Sequence, residues 1–203
     1  MKLYEFEPFP NPRRVRMFLA EKGVDIDREQ VNVPEGEHRT EAYKAKNPSA
    51  TVPCLELDDG SHVSGCVAIS RYFEAKNPSP ALMGDSAEDQ ANVSMWQRRV
   101  EEGLMDASTT YFHHATPGLG ALELYQNKDW GEKNRERTIA TMKTLDNELA
   151  TKNFIAGDSF SIADITALCA IDFAVFAEIA KLEDYPNLSR WHADVSARPS
   201  ASA

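Results

Sequence analysis

"ATVPCLELDDGSHVSGCVAIS", Ala50 to Ser70, is the stretch on which the fold turns. Two short runs, "PCLEL" and "HVSG", flank Asp58-Asp59-Gly60, and an Asp-Gly pair between strand-like runs is a strong hairpin signal. The second run passes directly into "CVAISRYFEAK", a helical pattern closed by Asn77-Pro78. An antiparallel pair followed at once by a helix puts Gly65 and Cys66 at that helix's N-terminus.

Upstream, "KLYEF" reads as a strand and "PRRVRMFLAEKG" as a helix, with Pro12 in the first turn and Gly23 as the stop signal. "REQVNV" then reads as a second strand, and a strand-helix-strand unit of this kind is parallel and right-handed. The resulting order, β-α-β-α-β-β-α, is that of a thioredoxin-like α/β domain over residues 1–80.

From Ser86 the period changes. Val93, Trp96, Val100, Leu104, Ala107 and Tyr111 recur at three- and four-residue steps, as do Ile139, Met142, Leu145 and Leu149. "ADITALCAIDFAVFAEIA" is apolar on nearly every side, the pattern of a helix surrounded by others. Residues 86–203 therefore read as an all-α helical bundle, joined to the first domain by "NPSPALMGDSAED".

Composition narrows the function. No apolar run approaches the ~18 residues of a membrane span, and "MKLYEFEPF" lacks the basic start of a signal peptide, so a cytoplasmic protein with no membrane partner is expected. A net charge of −10 argues against nucleic acid as a partner. Residues 1–80 carry 11 basic and 13 acidic side chains against 11 and 19 in residues 81–203, so a small anion finds the first domain less repulsive. Cys54, Cys66 and Cys169 suit neither a disulfide framework nor a zinc cluster. Cys54 and Cys169 read as core residues. His113 and His114 point about 100° apart on a helix and make no metal pair, so no metal is expected.

Four stretches, "VRMFLAEKG", "KNPSATVP", "SFSIADI" and "YPNLSRWHADVSARPS", occur in the order and spacing of the cytosolic glutathione transferase superfamily, which the chain resembles over nearly its whole length. The resemblance implies a homodimer that activates the glutathione thiol for attack on a small hydrophobic electrophile, in detoxification chemistry. It implies a cis Pro53, leaving the Val52 backbone to pair with glutathione, and a carboxylate site from His38 and Arg39 with Thr51 beside it. Ser161 and Asp164 read as a helix-capping box, a structural device.

Two departures from the family pattern are expected to matter. Gly65 and Cys66 stand where the family places an acidic or amide residue and a serine around the γ-glutamyl end of glutathione. The Cys66 N–H survives, but two weakened or missing hydrogen bonds cost roughly 2–4 kcal/mol of affinity. Cys66 reads as a small cap or as a redox thiol. Phe9 occupies the position of the family's thiol-activating hydroxyl and cannot donate. Asn11 is the candidate to replace it, with a plain N-cap as its other reading, and Tyr4 is the runner-up. By the same analogy Phe9, Arg99, Met105, Tyr111 and His114 face the electrophile. A non-catalytic binding protein, or one using another thiol ligand, is the alternative reading.

Overall fold

In the computed structural model, which describes residues 1–119 and 123–203, the chain forms two compact units, Met1–Pro80 with Ser202–Ala203, and Ala81–Ala201. The first holds β1 (Lys2–Glu5), α1 (Pro10–Glu21), β2 (Asp27–Gln30), a 3₁₀ turn (Glu37–Arg39), the one-turn α2 (Glu41–Lys44), β3 (Cys54–Glu56), β4 (His62–Ser64) and α3 (Cys66–Lys76). The sheet order is β2-β1-β3-β4, with β1 and β2 parallel and the other pairs antiparallel. This is the thioredoxin-like arrangement. Its core is Leu3, Val15, Phe18, Leu55, Ile69 and Phe73, each no more than 2% exposed.

The strands are a residue or two shorter than the sequence reading had them, and two boundaries differ more. α1 starts at Pro10, not Pro12, because Phe9 caps it with extended backbone and no side-chain bond. β2 ends at Gln30. Val31 still donates to Glu5 O at 2.7 Å, and it and Val33 are buried beyond the strand's end.

The second unit is helical: α4 (Ala87–Val100), a widened π turn (Glu101–Met105), α5 (Asp106–Ala115), α6 (Lys128–Glu148), α7 (Ile162–Phe176) and α8 (Pro186–Ser196). In the π turn Gly103 lies against α6. A Cβ there would come 2.5 Å from Thr141 Oγ1, so only glycine allows this approach. On α6 the buried stripe continues through polar residues. Asn134 and Thr138 bond back to Trp130 O and Asn134 O within the helix, and Ile139 is half-buried.

α7 is buried from Ile162 through Ile171, as an all-round apolar helix must be, and ends before Glu178, whose φ is +55°. Its N-terminus carries the Ser161–Asp164 capping box. Asp164, fully buried, accepts from Ile155 N–H (2.9 Å), Ser161 N–H (3.0 Å), Ser161 Oγ–H (3.1 Å) and Trp191 Nε1–H (2.9 Å). One carboxylate thus ties α7 to the preceding loop and to α8.

Candidate functional site

The sheet register gathers one end of the first unit. Tyr4 pairs with Cys54 and Cys54 with Ser64, so the residues one step on, Glu5, Pro53 and Gly65, lie at the same end of β1, β3 and β4. α1 and α3 begin there as well. Helix N-termini present unsatisfied N–H groups and the positive end of the macrodipole, so this sheet end favours an anion.

At its centre is Val52, followed by a cis peptide bond to Pro53. The Val52 N–H and C=O have no hydrogen-bond partner among the described residues, while the carbonyl before them is doubly held. Thr51 O accepts from Tyr43 Oη–H at 2.7 Å and from Asn47 Nδ2–H at 2.8 Å, and Asn47 Nδ2 also reaches Thr51 Oγ1 at 3.1 Å. Asn47 is completely buried. Burial raises the Tyr43 phenol well above its ordinary value, so it stays a donor. The loop is fixed from behind, and the Val52 amide and carbonyl are left to an incoming extended chain.

Cys66 opens α3, capped by the backbone of Gly65 at φ +90° and ψ 126°. A Cβ at Gly65 would meet nothing within 4 Å, so it is the backbone angle rather than crowding that favours glycine there. The Cys66 thiol, 8% exposed, donates to Asn11 O at 3.3 Å and lies 3.7 Å from Asn11 Oδ1. The structure therefore joins two of the residues singled out in the sequence, across the two helix starts.

Asn11 sits inside the first turn of α1, one residue beyond Pro10, so it is not an N-cap. Its Oδ1 accepts from Arg14 Nη1 at 2.9 Å. Pro10 and Pro12 have no N–H, and Arg13 N–H is already bonded to Phe9 O at 3.3 Å, so the open donors of this turn are Asn11's own. Neither its backbone N–H nor its Nδ2 meets a partner among the described residues. Phe9 packs edge-on against Phe6, centroids 4.9 Å apart, and supplies no donor. Tyr4 is occupied elsewhere, donating to Glu56 Oε2 at 2.6 Å and accepting from Lys46 Nζ at 3.0 Å.

His38 and Arg39 stand on the 3₁₀ turn before α2, tied to the sheet end through Tyr43 of α2. His38 is 8% exposed and its Nδ1 has no partner among the described residues. Burial, with Arg39 beside it, holds its imidazole below the ordinary value, so it is neutral at pH 7.

In the helical unit, Met105 is fully buried, and its carbonyl accepts from Ser108 and Thr109. It was expected to face an electrophile. Its place in the π turn, where α4 passes into α5, makes it a core residue instead. Arg99 is exposed on α4 with its guanidinium 4.9 Å from the Trp96 ring centroid. Tyr111 is half-buried on α5, and His114 Nδ1 accepts from Asn127 N–H at 3.2 Å with Tyr125 edge-on to its ring. Among the described residues no group of His, Cys, Asp and Glu is arranged to hold a metal.

Both halves of the sequence match known proteins. Residues 10–76 match the model of the glutathione S-transferase N-terminal domain and residues 103–199 that of the C-terminal domain. Glutathione S-transferase 2 of Saccharomyces cerevisiae is 40% identical over 203 residues, covering 98% of this chain and 87% of the relative. The crystal structure of Gtt2 from the same yeast superposes with a TM-score of 0.96 at 40% identity, over 100% of this chain and 99% of that one. A glutathione S-transferase domain-containing protein from Marinobacter aquaeolei superposes equally well, TM-score 0.96, at 48% identity over 98% and 99% of the two chains. With both halves of the sequence matched and the thioredoxin-like sheet followed by its helical bundle, the chain belongs to the glutathione S-transferase family.

Proposed function

We propose that this protein is a glutathione transferase that lines up the glutathione thiolate for attack on a small hydrophobic electrophile. The observation that carries the reading is the Val52 backbone, open on both its N–H and its C=O beside two helix N-termini. Glutathione is an anionic tripeptide, and an extended peptide can donate to and accept from one residue at once. His38 and Arg39 hold the glycine carboxylate, Arg39 through charge-assisted bonds, and Thr51 lies alongside. The γ-glutamyl carboxylate takes the N–H groups at the start of α3, beginning with Cys66. Gly65 adds no side chain to that end.

The chemistry requires a thiolate near pH 7. Lowering a thiol pKa from ~8.5 to ~6.5 takes about 2.7 kcal/mol of selective stabilisation. Asn11 supplies two donors, its N–H and its Nδ2, at the positive end of α1. The thiolate sulfur attacks the electrophilic atom, a C–S bond forms, and the leaving group departs with the electron pair or an activated double bond takes it up. The working form is a cytoplasmic homodimer with a role in detoxification.

Titration calorimetry with glutathione tests the reading. Binding between micromolar and low millimolar is expected, weakened about tenfold in Arg39→Ala, the loss of one charge-assisted bond. No heat at several millimolar glutathione would remove glutathione as the ligand.

A further inference from the structure

We infer that Arg14 is a positioning residue for the reaction: it fixes the Asn11 side chain so that the amide NH₂, rather than the carbonyl oxygen, faces the glutathione sulfur. The inference rests on the reading of Asn11 given above and extends it to a residue that touches neither substrate.

An asparagine amide has nearly the same shape in its two orientations, which differ by a half-turn about χ2 and exchange an acceptor for a donor pair. Left to itself, Asn11 would point either end at a thiol, and only one end stabilises a thiolate. Arg14 removes the ambiguity. Its Nη1 lies 2.9 Å from Oδ1, and a guanidinium only donates, so the flipped amide would set donor against donor. Arg14 is 4% exposed and therefore held in place by its surroundings. Cys66 Sγ–H approaches from a second direction, 3.7 Å from Oδ1 and 3.3 Å from the Asn11 backbone oxygen. The single thiol proton goes to the nearer backbone oxygen, so Arg14 is the donor that sets the orientation of the amide. Nδ2 has no partner among the described residues.

The test follows the thiolate itself, by its ultraviolet absorbance in the glutathione complex as pH is varied, alongside kcat/KM with a chlorinated dinitroaromatic. Asn11→Ala is expected to raise the pH midpoint by about 1 and lower kcat/KM about tenfold at pH 6.5. Arg14→Ala is expected to move both the same way, and Arg14→Lys, which keeps a cationic donor, to recover part of the loss. The deciding variant is the double substitution. A residue that acts only through Asn11 adds nothing once Asn11 is alanine, so Asn11→Ala/Arg14→Ala should match Asn11→Ala alone. Additive losses would overturn the inference, because Arg14 would then be acting by some other route. An unchanged midpoint in Arg14→Ala and Arg14→Lys, with glutathione still bound by calorimetry, would overturn it too and leave the transferase reading standing. Absence of glutathione binding to the unsubstituted protein would remove both. Should Arg14→Ala fail to fold, Arg14→Lys and its double with Asn11→Ala carry the same comparison.

Discussion

A carboxylate buried completely has to be matched by donors, and Asp164 has four of them. Burial nonetheless pushes its pKa up to about 6, with the hydrogen bonds from Ile155, Trp191 and Ser161 pulling the other way. The folded protein therefore holds a proton there that an unfolded chain, at the ordinary 3.8, releases. Between pH 4 and 6 the folded state binds the extra proton, so Asp164's contribution to stability falls as pH rises through that window and is flat above it. Asp164→Asn does not titrate. Urea unfolding should show the stability advantage of wild type over this variant shrinking from pH 4 to pH 6, by a few kcal/mol at most. An advantage that grows over that window would mean the four donors win over burial. Asp164→Ala, which leaves three elements without their shared acceptor, should cost roughly 3–5 kcal/mol at pH 7. His38 runs opposite to Asp164: with its folded value depressed, its contribution is intact above about pH 6.5 and is lost as pH falls below it.

At the scale of the element, the turn from β4 into α3 depends on one backbone angle. Gly65 at φ +90° and ψ 126° lies where a residue with a Cβ is strained, although the space around it is open. Gly65→Ala should therefore lower stability by about 1–3 kcal/mol in chemical denaturation without disturbing the core. Punctuation of this kind is what made the elements legible. Asp59-Gly60, Gly23 and Asn77-Pro78 mark their turns because few other residues satisfy those geometries. The start of α1 was not legible to the same rule, since Phe9 caps through its backbone alone and a side-chain capping pattern has nothing to find. Nor was the polar part of the α6 stripe, where Asn134 and Thr138 are buried because each satisfies itself on its own helix. Arg14 was hidden by the same misplaced start, since an i,i+3 pair with Asn11 exists only if α1 already includes Asn11.

For the whole molecule, the two units divide the labour that their charge suggests. The first carries the near-balanced charge and the sheet end suited to an anion, and the second the acidic excess and the largest buried side chain, Trp191. An excess of negative charge gives no footprint for nucleic acid, so fluorescence anisotropy with duplex DNA at physiological salt should show no binding. Sedimentation velocity should find two copies per particle if the proposed homodimer is correct, and a monomer at micromolar concentration would overturn it. No helix among the described residues is long and apolar enough to cross a membrane.

The prolines that open α1 have a consequence for spectroscopy. Pro8, Pro10 and Pro12 carry no amide proton, so between Glu7 and Arg13 the only backbone signals in a nitrogen-proton correlation spectrum are those of Phe9 and Asn11. The Phe9 amide is bonded to Phe6 O at 3.0 Å, while that of Asn11 has no partner among the described residues. One resonance thus stands alone in its neighbourhood, and a sulfur arriving at this helix start would shift it and slow its exchange with deuterium. The chain carries its own isotopic reporter of occupancy, at one of the two Asn11 donors on which the chemistry is proposed to depend.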